Sequence, residues 1–189
     1  SNKRLKLGVA SYSLRKFPLA EAIRMTQRCG VEYIALKDFH LPLTATKEEI
    51  QAAAKMIADA GLHLVGCGVV YMPKDEAFIR NVFEYAKTAH MPVIIASPDH
   101  DALPICNQMV QEYDIKLAIH NHGPGDSKYP LATDAYRLVK DLDPRMGVCP
   151  DIGHIKRVGG DPVAEIKAVF DRMHDMHIKD VSAAEPAGY

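Results

Sequence analysis

The 189 residues predict a (β/α)₈ barrel that stops after strand seven, on three observations. Apolar, strand-like runs alternate with amphipathic helical patterns along the whole chain. The repeat is about 28 residues, the length of one strand and its crossover helix. Histidine, aspartate and asparagine collect where the strand-like runs end, and a barrel places its chemistry on that rim. Strict alternation without a reversal favours a closed barrel over an open, doubly wound sheet.

The strand-like runs are residues 5–11, 33–39, 62–70, 92–98, 115–122, 146–151 and 175–181. Each is a short strand-like run set between helical patterns, and 62–70 and 92–98 are the most continuously apolar. Between them lie helical patterns with apolar residues three and four apart, most clearly at 19–29, 47–60, 75–89 and 161–173. Thr46 followed by Glu49 reads as an N-cap with a capping box, and Gly61 closes the same helix. Asp161-Pro162 opens the last helix, with a cap and a proline at the first helical position. A complete barrel of this type has eight strands in roughly 250 residues. Seven strands are expected here, in a single domain over 1–189, with a gap where the eighth belongs.

Composition excludes several functions. A net charge of −1 and the absence of a basic stripe argue against nucleic acid as a partner. The longest apolar runs are too short to span a bilayer, so no membrane partner is expected. The opening Ser1-Asn2 lacks methionine and reads as a remnant of a cleaved tag, so a cytoplasmic or a periplasmic location fits equally. Cys29, Cys67, Cys106 and Cys149 form no CxxC pair and are expected as reduced thiols, without a zinc–thiolate site.

The rim residues carry the chemistry. The second strand ends in Lys37-Asp38-Phe39-His40 and the fourth in Ser97-Pro98-Asp99-His100. The fifth ends in His120-Asn121-His122, the sixth in Asp151-Ile152-Gly153-His154, and the seventh in His177-Ile178-Lys179-Asp180. His120 and His122 are two apart on a strand and share a face, as do His177 and Lys179. Imidazole suits zinc, manganese or iron, and carboxylate suits harder ions. Asp151 and His177 add one of each from the next two strands, about 4.8 Å apart per strand. His120, Asp151 and His177 are therefore the expected metal ligands. His40 and His100 more simply read as hydrogen-bonded rim residues. His63, His90 and His174 fall at the other ends of the strands or at helix ends and read as structural. Gly159-Gly160 reads as a turn.

At HNHG (120–123), DIGH (151–154) and HIKD (177–180) the sequence resembles the xylose isomerase-like barrels, the sugar phosphate isomerases and epimerases. That group includes ketose 3-epimerases, hydroxypyruvate isomerases and inosose dehydratases. The resemblance runs from LGVASYSL to HIKD. It implies a divalent metal ion (manganese, zinc, magnesium or cobalt) on His120, Asp151 and His177, with a fourth ligand on an eighth strand beyond the seven read here. It implies a small sugar-like substrate, isomerised or epimerised through a metal-stabilised enediolate. His154, Lys179 and His122 are the expected catalytic groups. Lys37, His40 and Asn121 are the expected substrate contacts. A homo-oligomer is compatible with this reading. One departure matters: the epimerases usually carry an acid/base glutamate where this chain has His120. That leaves room for a dehydratase or lyase acting on a keto-sugar or inositol derivative, or for a non-catalytic carbohydrate-binding relic.

Overall fold

The computed structural model describes residues 5–188. Six strands form one sheet, in the order β1 to β6: β1 (Gly8–Ala10), β2 (Tyr33–Leu36), β3 (His63–Met72), β4 (Val93–Pro98), β5 (Lys116–His120) and β6 (Met146–Cys149). Every neighbouring pair is parallel. Helices α1 (Leu19–Arg28), α2 (Lys47–Asp59), α3 (Glu76–Thr88), α4 (Leu103–Tyr113) and α5 (Ala132–Val139) cross between strands. Helices α6 (Ile152–Arg157) and α7 (Pro162–Val169) follow β6. The fold is the α/β barrel architecture with its strands in sequential order.

Local signals act as read. The Thr46 hydroxyl accepts from the Glu49 amide (3.2 Å), and the Glu49 carboxylate accepts from the Thr46 amide (2.7 Å), completing the capping box of α2. Gly61 has φ +74°, where a side chain would be strained. Asp161 caps α7 at the Val163 amide.

The seventh strand departs from expectation. Residues 173–177 pair with β6 and the residues just after it through two isolated parallel bridges, Val148 with Met173 and Asp151 with His177, and form no regular ladder. The reason lies partly in its other anchors. The Arg172 guanidinium donates to five carbonyls, those of Val139, Lys140, Leu142, Asp143 and Met146. That clamp holds the segment to the end of α5 and the start of β6. Among the described residues there is no eighth strand, and β1 has β2 as its one sheet neighbour.

Side-chain alternation divides the core in two. Ile94, Ala96, Leu117, Ile119 and Val148 face the helices, packed with Ile79, Phe83, Met109 and Val110. Val93, Ile95, Ala118 and Cys149 face the other way and make a smaller cluster inside the curved sheet. On β5 and β6 the next residues on that inner face are His120 and Asp151, so the polar rim sits directly above the inner cluster.

Gly147 lies where the seventh segment crosses β6. A Cβ there would run into the Arg172 carbonyl oxygen and the His174 ring. Gly147→Ala is expected to destabilise the chain by roughly 2 kcal/mol, because backbone has to give way. A urea-unfolding midpoint unchanged from the parent would show that the crossing is looser than the packing indicates.

Candidate metal centre

Three elements deliver three candidate ligands. His120 ends β5, Asp151 follows β6, and His177 pairs with Asp151 through the parallel bridge. One ligand atom from each lies within 4.8 Å of those of the other two. His120 Nε2 is 3.2 Å from Asp151 Oδ2, and the His120 and His177 ring centroids are 4.6 Å apart. His120 and Asp151 are buried.

The local sequence explains this placement. Asp151 is the N-cap of α6, and its Oδ1 accepts from the His154 amide at 2.9 Å, which leaves Oδ2 turned to the cluster. Asn121 holds the Asp151 backbone from both sides. Its Oδ1 accepts from the Asp151 amide (2.8 Å) and its Nδ2 donates to the Asp151 carbonyl (3.3 Å). The glycine of DIGH has a separate task, since a Cβ on Gly153 would lie 2.7 Å from the Lys179 carbonyl oxygen. Only glycine lets the HIKD segment come this close.

Further polar groups ring the three. His154 Nε2 is 3.4 Å from Lys179 Nζ and 4.0 Å from Asp151 Oδ2, while its Nδ1 is 3.1 Å from an Arg157 nitrogen. The His122 and His120 ring centroids are 4.5 Å apart, as expected for residues sharing a strand face. His122 also stacks on Tyr71, whose hydroxyl is 3.2 Å from Nε2. His122 Nδ1 lies 3.4 Å from Asp126 Oδ2, an ion-pair distance without hydrogen-bond alignment.

The electrostatics favour neutral imidazoles beside a charged carboxylate. Burial pushes His122 down to about 4, with His120 adding to the effect. Burial likewise takes His154 down to about 4, against the pull of Asp151 and aided by the Lys179 charge. His120 and His177 are lowered mainly by burial, which the nearby Asp151 only partly offsets. For Asp151 burial acts upward, but the hydrogen bonds from His120 and the His154 amide outweigh it, so the carboxyl sits below its ordinary value.

These features fit a divalent cation. Two neutral imidazoles and a carboxylate are a competent donor set for a first-row ion. Asp151 is paired with no lysine or arginine among the described residues, only with His120 and His154. The buried His120 Nδ1 has no hydrogen-bond partner.

The remaining sequence-predicted residues are placed differently. His40 is buried with both ring nitrogens engaged, on the Ser11 hydroxyl (2.9 Å) and the Phe17 carbonyl (3.0 Å). It braces the turns after β1 and β2 and offers neither nitrogen to a ligand. Asn121 is spent on the Asp151 backbone. Lys37 lines a cleft of about 200 Å³ with Gly68 and Tyr71. Its Nζ donates to the Val69 carbonyl and pairs with Asp38 at 3.2 Å. His100 Nε2 meets the Lys128 carbonyl at 3.3 Å. Tyr71, Asp126 and Arg157 were not expected at the site. Tyr71 is the second-last residue of β3, which runs to Met72, two residues past the run that the sequence pattern predicts. Extending that run would have placed Tyr71 on the rim.

Residues 101–188 match the family model of xylose isomerase-like TIM barrels. A stretch of 75 residues, 39% of this chain, is 35% identical to inosose dehydratase of Lactiplantibacillus plantarum and spans 24% of that protein. A protein of unassigned function from Parabacteroides distasonis superposes with a TM-score of 0.78 at 24% identity, over 96% of this chain and 78% of that one. The 3-keto-D-glucoside 4-epimerase of E. coli superposes with a TM-score of 0.75 at 16% identity, over 94% and 80%. The probable 3-DHS dehydratase of Bacillus anthracis gives 0.75 at 14% identity, over 95% and 75%. These structural likenesses speak to the fold. No helix among the described residues is long and apolar enough to cross a membrane. The stretch that matches the family model carries His120, Asp151 and His177, and the solved structures share the barrel fold over nearly all of the chain.

Proposed function

We propose that the protein is a divalent-metal-dependent isomerase or epimerase of a sugar or sugar derivative. The observation that carries this reading is the convergence of His120, Asp151 and His177, with His154 and Lys179 alongside. When bound there, a divalent ion supplies Lewis-acid polarisation of a carbonyl and its neighbouring hydroxyl. His154 is neutral over the physiological range and accepts the proton from the carbon next to that carbonyl. The Lys179 ammonium steadies the negative charge that develops on oxygen. Reprotonation of the adjacent carbon by His154 after exchange with solvent, with the hydroxyl proton passing to the former carbonyl oxygen, completes isomerisation; a solvent-derived proton delivered to the opposite face of the original carbon completes epimerisation. His122, stacked on Tyr71, orients hydroxyls on the neighbouring side, and Lys37 contacts the substrate from the cleft beside Tyr71. Asn121 and His40 act as braces for the groups they hold.

A second reading keeps the site and changes the outcome to loss of water. Two observations favour it: the match to an inosose dehydratase, and His120 where the epimerases usually carry an acid/base glutamate. Product analysis in D₂O separates the two. Isomerisation or epimerisation leaves the mass unchanged apart from deuterium at the exchanged carbon, whereas dehydration removes the mass of water. Turnover of neither kind with ketoses and inososes, despite bound metal, would leave a carbohydrate-binding relic. Within either reaction, His154→Gln and Lys179→Met are expected to lower kcat by roughly 10²–10⁴-fold while metal content stays at the parent level. Parallel loss of metal in both variants would make them ligands or supports instead of proton-moving groups.

A further inference from the structure

Beneath the His120–Asp151–His177 cluster lies a second set of donors. Cys149 is two residues before Asp151 on β6, and Asp175 is two before His177 on the seventh segment. Alternation puts each on the same inner face as its partner, one step deeper in the barrel. The Cys149 sulfur, an Asp175 carboxylate oxygen and a His177 nitrogen all lie within 4.8 Å of one another. Cys149 is fully buried, packed with Val93, Ile95 and Ala118. The Asp175 carboxylate accepts from the Met176 amide (2.7 Å) and pairs with no lysine or arginine among the described residues.

We propose that Cys149, Asp175 and His177 form a second ion position, selective for a thiophilic divalent cation of the zinc class and sharing His177 with the upper site. The charge count explains the preference. A thiolate and a carboxylate neutralise a divalent ion in full, whereas one carboxylate with two imidazoles leaves a net positive charge. Full neutralisation matters most in the buried, apolar-lined position. Sulfur selects zinc or cobalt over magnesium and manganese, which stay with the oxygen- and nitrogen-rich upper set. Binding forms a sulfur–metal bond and breaks the Cys149 S–H bond, with that proton passing to solvent. The oxidation state of the metal is unchanged. This inference goes beyond the proposed isomerase site and depends on it only through His177.

Cobalt(II) added to the metal-stripped chain reads the position directly, because a bound thiolate produces a sulfur-to-cobalt charge-transfer band in the near ultraviolet. The parent chain and Cys29→Ser are expected to show the band, which excludes the exposed Cys29 as its source. Cys149→Ser is expected to lose it and Asp151→Asn to keep it. Asp175→Asn is expected to need at least roughly tenfold more cobalt to develop it. Bound cobalt without the band, no cobalt binding at all, or a band that survives Cys149→Ser would each overturn the proposal. If Cys149→Ser does not fold, Asp175→Asn decides, and a band at parental affinity in that variant overturns it. Cobalt that binds without the band and is lost in Asp151→Asn would leave the upper site intact and remove this one. A band retained in Asp151→Asn, with no manganese bound by the parent chain, would do the reverse.

Discussion

Asp151→Ala and His177→Ala are each expected to weaken manganese binding by at least roughly 100-fold. Removing groups that merely orient metal ligands already costs 10–100-fold, and these two residues are the proposed direct donors. Manganese is the ion to use, because it does not compete for the Cys149 thiolate. Calorimetric titration and elemental analysis of the purified chain measure the effect. His40→Ala and His100→Ala serve as the comparison, since their ring nitrogens are engaged by Ser11, Phe17 and Lys128 and not by the cluster. Full metal content in the two ligand variants, with loss in His40→Ala or His100→Ala, would move the site elsewhere on the rim. Activity is expected to fall in step with manganese.

The metal-free protein is expected to lose stability steeply as pH falls from about 6.5 towards 4. Imidazoles whose folded values lie below 6.5 bind protons more readily once unfolded, so the unfolded chain takes up more protons in this window. Stability therefore rises with pH through the window, is complete above it, and is lost on acidification. His122 and His154, both brought down to about 4, carry the largest resolved shifts, and their side chains are 24% and 13% exposed. At about 1.4 kcal/mol per pH unit, each contributes on the order of 3 kcal/mol across the window. His120, His174 and His177 act in the same direction. Asp175 opposes them, because burial raises its carboxyl and the folded chain then gains a proton before the unfolded one does. The net loss is a large share of a typical 5–15 kcal/mol. Thermal unfolding at pH 7 and pH 5 without metal is expected to differ by roughly 10 °C, and replacing both His122 and His154 with glutamine should flatten the dependence. A midpoint unchanged between pH 7 and pH 5 would mean that these imidazoles are hydrated and ordinary.

The parallel order of the strands and the facing of the rim residues were legible in the sequence because both follow from short-range rules. A period of two assigns faces along a strand, so the sequence itself pairs His120 with His122 and His177 with Lys179. A period near 3.6 with caps marks helices, so the sequence locates α1, α2 and α3 close to their ends and α7 at its start, while the predicted end at 173 overruns Val169. Helix α4 is less plainly periodic, whereas α5 is amphipathic but only eight residues long. The seventh strand was read as regular because HIKD alternates as a strand should. In the folded chain that segment is fastened by the Arg172 clamp and two bridges, which no local pattern encodes.

From the sequence come which residues can share a face and the presence, at three successive strand ends, of side chains of the kinds that bind metals. Long-range contacts set which of those groups are already spent and which distant groups join them. His40 was a rim histidine in sequence, but Ser11 and Phe17 occupy both of its nitrogens. Asn121 looked like a substrate contact, but it closes on the Asp151 backbone. Tyr71 reaches His122 from 51 positions away, and Cys149 meets Asp175 and His177 without a CxxC or any other spacing signal. The physical reason is the same in each case. Alternation along a strand is a property of neighbouring peptide units. The approach of one strand's side chains to another's is set by register, by the glycines at 147 and 153 that permit close crossing, and by burial of the whole inner face.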